Sequence, residues 1–96
     1  MQGKKKYNQL KKDENKKMIL IALAQTMKEL RGKKSQFIFA SENDISISII
    51  STAERALKDP QLTTLFKLAE AYDMSVTEFL TKIIKKLPSN FTMIEK

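Results

Sequence analysis

The stretch DISISIIST, residues 44–52, alternates isoleucine with serine at Ile45, Ser46, Ile47, Ser48 and Ile49. Alternation of apolar and small polar residues is the pattern of a half-buried strand. Isoleucine also favours strands, because its branched β-carbon packs well on a pleated surface. A helical reading competes. On a helix, Ile45, Ile49, Ile50, Ala53 and Leu57 form a buried stripe, and Ser46 stands where an N-cap belongs. A lone strand would leave every edge unpaired, and no second segment of the chain has strand character. Context outweighs local propensity, so residues 46–55 are expected to be helical, with Ile45, Ile50 and Ala53 facing the core.

The flanking sequence supplies helices on both sides. From about Glu14, Ile19, Leu23, Met27 and Leu30 recur every three or four residues, and Gly32 follows Arg31 as a natural stop. Ser35 can cap a short helix over residues 36–43. Lys58, Asp59 and Pro60 mark a loop. Beyond it, Leu62, Leu65, Phe66, Leu68 and Ala69 share one broad helical face. Ser75 and Glu78 have the spacing of a capping box, opening a last helix over residues 76–86, and Pro88 follows. The expected fold is all-α, a compact five-helix domain over residues 13–87 with a basic arm at 1–12 and a short tail at 88–96. Phe37, Phe39, Phe66 and Phe79 are assigned to its core.

Composition narrows the function. The chain has 96 residues and is 42% hydrophobic, enough for one domain with a small core. It has no cysteine and no histidine, which excludes a disulfide scaffold, a metal site built on those ligands, and catalysis by thiolate or imidazole. It also lacks a glycine-rich phosphate loop and paired carboxylates, so an enzyme is not expected, nor a cofactor, metal or small-molecule substrate. The longest apolar run, residues 18–24, is too short to span a bilayer and lacks a signal-peptide pattern, so the expected location is the cytoplasm. The net charge is +7, and residues 1–17 hold seven lysines against Asp13 and Glu14. A basic segment on a nearly neutral domain suits a polyanion, since neutralised phosphates release counterions. A solvated leader fits the same charge pattern.

Residues 35–80 carry a resemblance. Ser35-Gln36, Phe39-Ala40, Ile45-Ser46, Ile50, Glu54, Pro60, Leu62, Leu65, Leu68-Ala69 and Met74 fall, without a gap, in the register of the Xre/Cro-type, lambda-repressor-like helix-turn-helix family. With the helix ending at Leu30-Arg31, the match spans roughly residues 14–80. The resemblance implies a DNA-binding transcriptional regulator, a repressor, acting on double-stranded DNA as a homodimer. Residues 36–43 would cross the DNA backbone, and residues 46–55 would lie in the major groove. It implies base reading by Ile47, Ser48, Ser51 and Thr52. Phosphate contacts are assigned to Gln36, Ser46, Arg55, Lys58, Lys33, Lys34, Lys4, Lys5 and Lys6. Arg31 and Glu54 match a structural salt bridge. Leu80, Ile83, Ile84, Leu87 and Phe91 form the candidate dimer interface.

The chain also departs from the family. The Gly-Lys-Lys link after the first helix is short. Asp44 stands at the usual turn glycine, and Ala56 at the glycine that usually follows the recognition helix. The reading positions lack Gln, Asn and Arg, whose bidentate contacts discriminate bases by about 1–3 kcal/mol each. Specific binding would lean on thymine methyl contacts, DNA shape and the lysine segment. A second reading keeps the fold but not the specificity: a protein-interaction module, antitoxin-like, with weak or non-specific DNA binding. In that reading Ile47 packs against a protein.

Overall fold

The computed structural model describes the backbone of residues 2–94 and the side chains of residues 13–94. Five helices are found there, α1 (Gln2–Arg31), α2 (Gln36–Asn43), α3 (Ile47–Glu54), α4 (Leu62–Ala71) and α5 (Val76–Ile84), and no strand among the described residues. The isoleucine–serine stretch is therefore helical from Ile47 onward. Its start is fixed by Ser46, whose hydroxyl accepts from the Ser48 backbone N–H at 3.2 Å. Ser35 and Ser75 cap α2 and α5 in the same way. A serine acceptor satisfies a backbone donor that the first turn leaves orphaned, which accounts for three helix starts out of five.

Helix ends are set by single left-handed residues. Gly32, Asp44, Ala56 and Asp73 have φ of 61°, 51°, 56° and 60°. After three of them the next residue's N–H reaches back to an earlier carbonyl: Ile45 to Ala40, Leu57 to Thr52, Met74 to Ala69. This is the six-to-one bond of a Schellman ending. At Ala56 the left-handed conformation costs about 1–2 kcal/mol. Its methyl is buried in a small cluster with Leu20 and Ala24, which offsets roughly 0.8 kcal/mol of that. The Lys17 ammonium also donates to the Ala56 carbonyl at 3.0 Å, tying this turn to α1.

The main core draws on every helix: Ala22, Leu23 and Met27 from α1, Phe39 and Ala40 from α2, Ile50 and Ala53 from α3, Leu68 and Ala69 from α4, Phe79 and Ile83 from α5, with Ile45 from the turn. α3 packs on both α1 and α2, and α5 packs on both α1 and α4. Tyr72 stacks on Phe39 with ring centroids 4.9 Å apart and tilts against Phe79 at 5.6 Å. No helix among the described residues is long and apolar enough to cross a membrane.

Several expectations need correction. α1 starts at Gln2, not near Glu14. Lys, Gln and Leu are good helix formers, and the segment has no proline to stop the helix. The side chains of Lys4, Lys5 and Lys6 lie outside the described residues. Ile49 and Leu57 of the expected buried stripe and Phe37 and Phe66 of the expected core are exposed, as is Leu62 of the apolar face of α4. Period groups apolar residues on one side but does not fix how wide a strip the neighbouring helices cover. α5 ends at Ile84, short of the expected residue 86, and residues 85–86 form a turn.

The Tyr72 hydroxyl is buried with no hydrogen-bond partner among the described residues. Burial first, then the Glu54 charge, pushes this phenol well above its ordinary pKa, so it stays neutral. An unsatisfied buried hydroxyl costs about 1–3 kcal/mol. Tyr72→Phe keeps both ring contacts and removes that cost. It is expected to stabilise the protein by about 1 kcal/mol, raising Tm by roughly 5 °C, as read by calorimetry; a lower Tm would contradict this.

Candidate nucleic-acid interface

The candidate reading surface is built on α3. At 100° per residue, Ile50, Ala53 and Glu54 point inward and are buried, while Ser48, Thr52 and Arg55 lie on the opposite side. Ser48 is exposed, Thr52 and Ser51 are half-buried, and Ile47 is 46% exposed. Ile47, Ser48, Ser51 and Thr52 thus all reach the surface of one short helix. Two hydroxyls in this region are already used by the backbone of α3. Ser46 caps the helix, and Thr52 Oγ1 donates to the Ser48 carbonyl at 2.8 Å.

Two shallow hollows flank α3. One is lined by Phe37, Ala40, Ser41, Asp44, Ile45, Ser46 and Ile47. The other runs between α3 and the start of α4, past Ile49, Thr52, Lys58 and Gln61. Phe37 was assigned to the core, yet it is 65% exposed beside Ile47. An exposed aromatic next to an exposed isoleucine is an apolar patch that helical period alone does not show.

The expected phosphate contacts divide into groups. Arg55, Lys58 and Lys33 are exposed, with no ion pair among the described residues. Lys34 is exposed but paired with Glu42. The Gln36 amide is engaged through one N–H, which donates to Glu54 Oε1 at 3.0 Å, and keeps its second N–H. Ser46 accepts the capping bond from the Ser48 N–H and keeps its own O–H to donate.

What orients α3 is a buried charge cluster. Glu54 is only 4% exposed. Arg31 grips it with two parallel bonds, Nε to Oε2 and Nη2 to Oε1, both 2.8 Å. Arg31 Nη1 also donates to the Lys34 carbonyl at 2.6 Å. Desolvation pushes the Glu54 carboxyl up, but hydrogen bonds from Arg31 and Gln36 and the charges of Arg31 and Lys28 outweigh it, so its pKa is lowered. The bond to Glu54 likewise raises Arg31, against desolvation. This pairing, expected from the resemblance, links the last residue of α1, the first of α2 and the last of α3.

A second apolar surface lies where α1 meets the end of α5. Leu80 and Ile84 are exposed on α5, and Leu87 and Phe91 are half-buried. Ile83 was expected in the interface but is buried in the core, because it lies one turn after Phe79 on the inner face. Met18 and Ile21 of α1, which the sequence reading did not single out, are exposed and share a hollow with Leu87 and Lys86. The tail folds back on its own chain: the Asn15 amide donates to the Met93 carbonyl at 3.5 Å.

Among the described residues no cluster of acidic, cysteine or histidine side chains is arranged to hold a metal ion. No family model, curated protein or solved structure matches the chain.

Removing one partner of a buried pair leaves the other uncompensated. Glu54→Gln is expected to cost about 3 kcal/mol at neutral pH in urea unfolding. Because folding lowers the Glu54 pKa, its contribution is present above the unfolded carboxylate range and is lost as pH falls through the folded value. The gap between parent and variant should be full at pH 7 and shrink once the pH drops below about 4. A gap unchanged by acid would contradict the assignment.

Proposed function

We propose that this chain is a lambda-repressor-like helix-turn-helix protein of the Xre/Cro type, a DNA-binding transcriptional repressor that places α3 in the major groove. The observation that carries the reading is the disposition of α2 and α3. They are joined by a tight turn at Asp44 and Ile45, and locked at their ends through Gln36 and Glu54. α3 turns a face of Ser48, Thr52 and Arg55 outward. Helices in this relation lay the second one in the groove while the first crosses the backbone. Arg55, Lys58 and Lys33 supply exposed cations around that face, and the lysines of residues 1–12 add sequence-independent attraction.

A monomer of this kind covers one half-site, so the proposal includes a two-fold dimer. Its interface is assigned to Leu80 and Ile84 of α5, with Leu87 and Phe91, extended by Met18 and Ile21 of α1. Ile84, 62% exposed, is the probe: the parent should sediment as a dimer at micromolar concentration and Ile84→Lys as a monomer. A monomeric parent, unchanged by adding a palindromic duplex, would contradict the dimer.

The second reading, a protein-interaction module, is favoured by one observation: Phe37 and Ile47 make the reading end of the molecule apolar. Duplex binding measured across a salt series separates the two. The DNA reading expects log affinity to fall linearly with log salt. Arg55→Ala and Lys58→Ala should each reduce the slope by about 0.9, one phosphate contact apiece. Lys34→Ala should change it less, because Glu42 already neutralises that charge. Absent or salt-independent duplex binding would favour the interaction module.

A further inference from the structure

We propose that α3 reads thymine through its 5-methyl group, with Ile47 and Ile49 as the contacting side chains. This deepens the major-groove reading above and rests on it. Two of the hydroxyls at α3 already bond to its own backbone. The hydroxyl hydrogen of Thr52 is given to the Ser48 carbonyl, and the Ser46 hydroxyl accepts from the Ser48 N–H. Ser48 and Ser51 keep their hydroxyls, but a single rotating O–H either donates or accepts and so suits the edge of any base. Hydrogen bonding from these four hydroxyls therefore holds little sequence information.

Its apolar groups hold more. Ile47 and Ile49 are 46% and 38% exposed. Each lies 100° from Ser48 around the helix, one on either side, so the outward serine is flanked by two branched aliphatic side chains. Ile47 borders the hollow shared with Phe37, and Ile49 borders the hollow at the start of α4. Both hollows open beside the helix that would enter the groove. In the major groove only thymine offers an apolar group, its C5-methyl; the other three bases present donors and acceptors alone. An isoleucine facing cytosine, adenine or guanine desolvates polar edges without replacing their hydrogen bonds, and facing thymine it buries a methyl. The selectivity is thus for thymine at the two positions flanking the serine contact.

The test uses the full chain and a duplex selected by it from a random library. The selected duplex is resynthesised with deoxyuridine at one thymine at a time, which removes the methyl and nothing else. Affinity is read by fluorescence anisotropy. The expected loss is about fourfold at each contacted thymine, the worth of one buried methyl, and none at the others. Ile47→Ala should abolish the uracil effect at one thymine and leave the second intact. Ile47 is an exposed residue of the first helical turn, and circular dichroism checks that the variant is folded. A selected site without thymine, or a duplex bound with its full salt slope but indifferent to every uracil substitution, overturns methyl reading and leaves the DNA-binding reading standing. Failure to bind any duplex overturns both.

Discussion

The Glu54 carboxylate is a charge in a place where charges are costly. At 4% exposure it has almost no water, and an isolated ion there would cost several kcal/mol. Two parallel bonds from Arg31 and one from Gln36 satisfy it. Those three residues sit at the end of α1, the start of α2 and the end of α3, so satisfying one carboxylate fixes the relative placement of three helices. Arg31 further holds the Lys34 carbonyl in the short link, which sets where α2 begins. A bidentate guanidinium is directional as well as strong, and this directionality positions α3 in a way apolar packing alone does not.

α3 depends on such fixing because it is only eight residues long. A helix of that length is not stable alone in water. It is held by Ile50 and Ala53 in the core, by the Ser46 cap at one end, and by the Glu54 cluster and the Lys17 bond to the Ala56 carbonyl at the other. Anchoring at both ends and along one side leaves the opposite side free of structural duty. The residues there, Ser48, Thr52 and Arg55, are polar, and the isoleucines stand at its margins. Beside that polar side the molecule exposes Ile47 and Ile49, with Phe37 of α2 next to Ile47. The proposed function gives this surface an occupant.

Much of this was legible in the sequence because capping is local chemistry. Ser35, Ser46 and Ser75 announce helix starts within three residues of themselves, and Gly32 announces an end. The decision between strand and helix at residues 44–52 rested on the absence of a strand partner, a property of the whole chain, and α3 is helical. The resemblance paired Arg31 with Glu54 across 23 residues, which no local pattern could do. What failed was the extent of burial. Periodicity shows which residues share a face but not how wide a strip a neighbour covers, and in a small domain the covered strip is narrow. Ile49, Leu57, Leu62, Phe66 and Phe37 lie outside it, and Ile83 inside. The start of α1 failed for a different reason: residues 2–13 have helix propensity without apolar period, so a search for stripes does not see them.

The most direct test of α3 as the contact element is amide chemical-shift mapping by NMR during titration of the full chain with a selected duplex. The expected result is that the largest changes cluster at residues 46–52 and at the start of α2 near Gln36, with the residues around Phe79 and Leu68 in the core unaffected. Changes confined to residues 80–87, or no changes at saturating duplex, would contradict the claim that α3 enters the groove.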